Sequence, residues 1–98
     1  MAELLKADGT VHPITETLQL HSMQRLVGGY IEIVPIGGTP RRREVLVVDE
    51  EGLLKHKPLN EAATRLYRGN PPQHGGLIVG DAIRCVIVNE FLDGERYE

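Results

Sequence analysis

VGGYIEIVPI, residues Val27 to Ile36, decides how the chain is divided. Paired glycines at 28 and 29 follow an amphipathic stretch and precede an alternating one. Glycine adopts the left-handed conformation of a helix C-cap without a Cβ clash, so a helix is expected to stop there. From Tyr30 to Ile36 the pattern has period two, with Ile31, Ile33 and Pro35 on one face and Tyr30, Glu32, Val34 and Ile36 on the other. A strand is expected. Upstream, Leu20, Met23 and Val27 recur at helical spacing and Leu26 widens the stripe, while Gln19, Ser22, Gln24 and Arg25 take the other sides. Thr15 or Thr17 is expected to cap this helix, which runs to about Val27.

Downstream, Gly37 to Arg42 reads as a loose hairpin tip, and Glu44 to Asp49 as a returning strand. Its Val45-Leu46-Val47-Val48 run is apolar on both faces, which places it centrally in a sheet. Glu50-Glu51-Gly52 turns the chain, and Leu53-Leu54 is expected to close a three-stranded meander. At the N-terminal end, Leu4 to Ile14 reads as a hairpin around Asp8-Gly9, a strong turn dipeptide, and Pro13 makes the second arm an edge. Asn60 is expected to cap a second helix whose Ala62, Ala63, Leu66 and Tyr67 form one face, with Glu61 at the positive end of its dipole. Gly69 to Gly76 is a loop, and Leu77 to Val88 a strand bent at Gly80-Asp81.

The order is β-β-α-β-β-(β)-α-β. Adjacent strands without strict βαβ alternation predict an α+β fold, with five or six strands in a largely antiparallel sheet and two helices on one face. Residues 1–90 are expected to form a single domain and residues 91–98 a charged tail in which Phe91, Leu92 and Tyr97 dock.

The composition narrows the class. A chain of 98 residues makes one domain, and its 41% hydrophobic and 26% charged content argues against disorder. One cysteine excludes an internal disulfide framework and a Cys-rich zinc module. No apolar run approaches the roughly 18–20 residues of a membrane span, and the first residues lack the pattern of a secretory signal. A cytoplasmic protein without membrane partners is expected. The formal net charge is −3, with net −2 over residues 1–40, net +2 over 41–68 and net −3 over 69–98. A mildly basic middle in an acidic whole is too weak for the footprint of a nucleic-acid protein.

Ser22, the only serine, lies mid-helix without elbow glycines, and Cys85 sits in an apolar strand where a thiol packs as a small hydrophobe. His12, His21, His56 and His74 show no ligand spacing, so no metal and no cofactor are expected. Asp49-Glu50-Glu51 reads as a charged turn. Glu32 stands out as a carboxylate in an apolar strand, expected to face solvent or to pair with a cation such as Arg65 or Arg84. Arg41, Arg42 and Arg43 form the most exposed cluster of a single sign, suited to phosphates or an acidic partner. The candidate binding face is therefore Tyr30 and Glu32 with Arg41, Arg42 and Arg43.

Five segments in order, LKADGTV, QRLVGGYIEIVPI, VDEEGLL, KPLNEAATRLY and IVGDAI, together resemble a bacterial and phage family called domain of unknown function three-eight-four-six. The resemblance covers about residues 4–85 and is most specific at Val27 to Glu32, then at Glu51-Gly52 and at Asn60 with Ala63. It implies a common fold and an origin in phages, plasmids or other mobile elements, without implying a reaction. Much of the motif reads as folding instruction. The GGTPRRR segment has no place in the family pattern, so any role for its arginines is particular to this chain.

The resulting expectation is a non-catalytic accessory protein of phage or mobile-element type. It would bind a host or phage protein, or sequester a small ligand, with defence evasion as one use. The alternatives are nucleic-acid association through the arginine tip, marked by steep salt dependence, and a small enzyme in which Glu32, a histidine and Asp49 or Asp81 converge. Self-association through a sheet edge is compatible with the chain, though no residue specifies it.

Overall fold

Four consecutive buried residues, Val45 to Val48, set the architecture, because neighbours along a strand face opposite ways and each face must find its own cover. The computed structural model describes residues 2–67, 76–90 and 94–98. Its elements are β1 (Glu3–Leu5), β2 (Val11–Pro13), α1 (Leu20–Val27), β3 (Ile31–Thr39), β4 (Arg42–Asp49), α2 (Glu61–Leu66), β5 (Ala82–Glu90) and β6 (Gly94–Tyr97). All strand pairs are antiparallel, and the sheet order is β2-β1-β5-β4-β3, with β6 also pairing β5. The protein is α+β, as its sequence pattern predicts.

The helices do not share a face. Val45, Val47, Ile83, Cys85 and Ile87 pack with Met23 and Val27 of α1. Leu46, Val48, Val34 and Ala82 pack with Ala63 of α2 and with Tyr67. The apolar Val45–Val48 run of β4 requires this arrangement, since a single layer of helices would leave half of it wet. Burying a side chain such as Met23 or Val47 contributes roughly 1.5–3 kcal/mol.

Gly28 ends α1 in the left-handed conformation, with φ 83°, and its N–H donates to Gln24 O at 2.8 Å. The start of α1 differs from expectation. Thr15 and Thr17 lie ahead of it, Leu18 is buried, and Gln19 is the cap residue. Ser22 Oγ accepts from Gln19 N at 2.9 Å and turns inward, so Ser22 is buried while Leu20 is 58% exposed. Satisfying the first-turn N–H outweighs the stripe in setting the helix phase.

Asn60 caps α2 as predicted, accepting from Ala63 N at 3.1 Å. It is also a buried tie, because its Nδ2 donates to Leu5 O and to Gly80 O, both at 2.9 Å. Three further expectations are corrected. Leu53 and Leu54 lie in a curled turn instead of a third meander strand, with Lys55 N donating to Glu51 O at 3.0 Å and Lys57 N to Gly52 O at 3.1 Å. The loose tip is a tight connection, since Thr39 pairs Arg42 across Pro40-Arg41, with a register shift between Pro35 and Gly37. The stretch read as a charged tail contains β6, whose Tyr97 packs against the α1-side core. The bend at Gly80-Asp81 is present: Val79 makes an isolated bridge to Leu59, Gly80 has φ 74°, and β5 begins at Ala82. The docking expected of Phe91 and Leu92, and most of the 69–76 loop, lie outside the described residues.

Candidate functional site

The five residues singled out in the sequence do not form one surface. Tyr30 and Glu32 lie at the start of β3, and the arginines at the far end of the β3–β4 hairpin. Nine strand residues at about 3.3 Å rise separate Tyr30 from the Pro40-Arg41 turn by about 30 Å. The arginines are themselves divided. Arg41 is exposed in the turn, and its carbonyl accepts from Asn89 N at 2.9 Å. Arg42 and Arg43 belong to β4 and point to opposite faces. Arg42 approaches Glu98 at 3.8 Å on the α2 side, while Arg43 pairs Glu95 on the α1 side. Strand alternation thus turns a cluster in sequence into two separate ion pairs, a geometry ill suited to gripping one phosphate.

The other ionisable groups are spread out. Arg84 pairs Glu3 at 3.6 Å. Asp81 accepts from Ala7 N at 3.0 Å, and His12 Nε2 lies 2.9 Å from Thr10 Oγ1. Cys85 is buried beside the β4–β5 core, and burial pushes its thiol up to about 11. That environment suits packing, not nucleophilic attack.

Asp49, expected in a charged turn, is instead a buried anchor. Its side chain is 1% exposed and holds Lys57 Nζ at 2.7 Å and Lys55 Nζ at 2.9 Å, and it accepts from Glu51 N at 2.9 Å. Burial alone would raise this carboxyl; the hydrogen bonds from Lys57, Lys55 and Glu51 outweigh it and hold the group at about 2. The same lysines reach the end of α1, with Lys57 Nζ donating to Val27 O at 2.7 Å and Lys55 Nζ to Gly28 O at 3.2 Å. Cations on the last helical carbonyls are favourable, and one carboxylate therefore fastens the 50–57 turn to α1. Two lysines within eight residues of a strand-ending Asp were the available signal. Gly29 is needed at this junction because a Cβ there would meet Lys55 Nζ at 2.6 Å and Asp49 Oδ1 at 2.7 Å.

This fastening fixes the start of β3, and β3 closes one side of the sheet. Glu50 N donates to Tyr30 O at 2.8 Å, which sets the parity of the ladder. Hydrogen-bonded pairs alternate in antiparallel strands, so Glu32 with Val48 and Val34 with Leu46 continue it. The N–H and C=O of Ile31 and Ile33, and the C=O of Pro35, then point away from β4. Among the described residues no strand pairs with that side. Tyr30 stands at its head, 67% exposed, beside a concavity of about 240 Å³ lined by Gln24, Gly29, Tyr30, Glu51 and Lys55. Pro35, whose missing N–H faces outward, is the sequence mark of this edge. Glu32 lies half-buried within the same segment and takes part in an interaction inside the chain.

Fold and edge together define a small α+β protein whose antiparallel sheet is helix-covered on both faces and, among the described residues, open along β3. The model of the family described as Domain of unknown function (DUF3846) matches residues 1–93, and the chain belongs to that family. No curated protein and no solved structure matches it. Among the described residues no helix is long and apolar enough to cross a membrane.

Proposed function

We propose that this chain is a non-catalytic binding protein that takes an extended segment of a protein partner along the open side of β3. The observation that carries the reading is the outward set of backbone groups at Ile31 and Ile33, headed by exposed Tyr30. A strand added there gains main-chain hydrogen bonds, and its side chains meet Tyr30 and the β3 rim. Nucleic-acid binding through the arginines loses support, because Arg42 and Arg43 diverge onto ion pairs of opposite faces. A phage or mobile-element accessory role in a bacterial cytoplasm, with defence evasion as one use, belongs to the same proposal and rests on the family resemblance.

Capture from bacterial lysate with wild type, Ile33→Pro and Tyr30→Ala in parallel tests it. Ile33→Pro deletes an outward N–H without removing a ladder bond to β4. A partner held by wild type is expected to be lost at least tenfold from Ile33→Pro and weakened by Tyr30→Ala, with melting curves showing both variants folded. A partner held equally by all three would overturn the reading.

A further inference from the structure

We infer that the β3 edge selects a strand carrying a cation opposite Glu32, and that Glu32 prevents the edge from pairing with a second copy of itself. This rests on the edge reading above and adds the chemistry of the partner. Three antiparallel self-pairings about a two-fold axis set both Ile31 and Ile33 against outward residues of the second copy. Centring on Ile33 sets Ile31 against Pro35, whose ring takes the place of the N–H that Ile31 C=O needs. Centring on Ile31 sets Ile33 against Gly29, which lies in the bend leaving α1 and whose N–H is already committed to Gln24 O at 3.1 Å. Centring on Glu32 sets Ile31 against Ile33 and Ile33 against Ile31. All four outward N–H groups then meet outward carbonyls, and Tyr30 faces Val34, a favourable aromatic and β-branched pair.

The one register with complete hydrogen bonding therefore puts Glu32 directly on Glu32 of the second copy. Opposed side chains in a pair of this kind sit about 4.5–5.5 Å apart, and like charges there are repulsive. A strand with the same backbone and a lysine or arginine at the central position exchanges repulsion for attraction. Glu32 need not be free for this, since an incoming cation adds to its existing interaction. An inward charge at the middle of an edge strand is a known protection against edge-to-edge growth. Here it also specifies what is accepted.

The chain itself supplies the probe. Glu32→Lys carries the same edge with a cation at its centre, so an equimolar mixture of wild type and Glu32→Lys should form a heterodimer about tenfold tighter than either homodimer. Sedimentation over a concentration series reads this, with 0.5 M salt expected to weaken the mixed pair. Hydrogen exchange is expected to show new protection at the Ile31 and Ile33 amides. A mixture no more associated than its components, or one that still associates when both chains carry Ile33→Pro, overturns the inference. If melting shows Glu32→Lys unfolded, Glu32→Gln serves instead: it is expected to self-associate more than wild type, and equal behaviour is the overturning result. The capture experiment with Ile33→Pro is independent of this outcome, so failure of the cation rule and failure of the edge reading are distinguishable.

Discussion

Replacing Asp49 by asparagine removes the one carboxylate that holds Lys55, Lys57 and the Glu51 amide at once. The folded group titrates at about 2 against an ordinary 3.8. At about 1.36 kcal/mol per pH unit, ionisation of Asp49 contributes on the order of 2 kcal/mol near neutrality. A carboxyl lowered on folding stabilises above its unfolded value and ceases to do so as pH falls through its folded one. The contribution is thus complete above about pH 5 and shrinks to a few tenths of a kcal/mol near pH 2. Asparagine keeps the shape and loses the charge. Because both lysines retain some solvent, the cost is set nearer 2–3 kcal/mol than the roughly 3–5 kcal/mol of breaking a fully buried pair. Urea unfolding of wild type and Asp49→Asn at pH 7 and pH 2 measures the difference, and comparing the two proteins cancels the other carboxylates. A gap of about 2–3 kcal/mol that mostly closes in acid is expected. A gap under about 1 kcal/mol at pH 7, or one unchanged at pH 2, refutes the fastening role.

Asn60→Ala should cost about 2–4 kcal/mol, because it removes the α2 cap and leaves Leu5 O and Gly80 O without their donor; a small shift in the thermal midpoint would contradict this. Gly29→Ala should destabilise by about 1–3 kcal/mol through collision with Lys55 and Asp49, and chemical denaturation checks it. Amide exchange in the isolated chain should alternate along β3, fast at Ile31 and Ile33 and slow at Glu32 and Val34; uniform protection would contradict the ladder parity. Cys85 should react with a thiol reagent only as the protein unfolds, given its burial and a thiol held at about 11; rapid labelling of the native state would show an opening at the β4–β5 core.

Local signals carried much of the fold. Gly28 stops α1 because its positive φ is a property of that residue, and Asn60 caps α2 because its side chain reaches a neighbouring N–H. The apolar β4 run announced a central strand, and Pro13 announced the β2 edge. Where tertiary packing competes, the pattern misled. Leu53-Leu54 has strand-like composition, yet Asp49 draws Lys55 and Lys57 back and curls the segment into a turn. Ser22 is polar in composition and buried in fact, since it answers the Gln19 amide.

By itself, then, the order of residues determined the α+β class, both helices, the central position of β4, the glycine that ends α1 and the family. These depend on φ preferences, period and capping, which act within a few positions of chain. Tertiary structure alone decided that the two helices cover opposite faces, that Arg42 and Arg43 part company, that Asp49 is a buried anchor and that β3 is the edge strand among the described residues. Those outcomes depend on which distant segments meet and on the parity of their pairing, and a shift of one position would send every side chain of a strand to the other face.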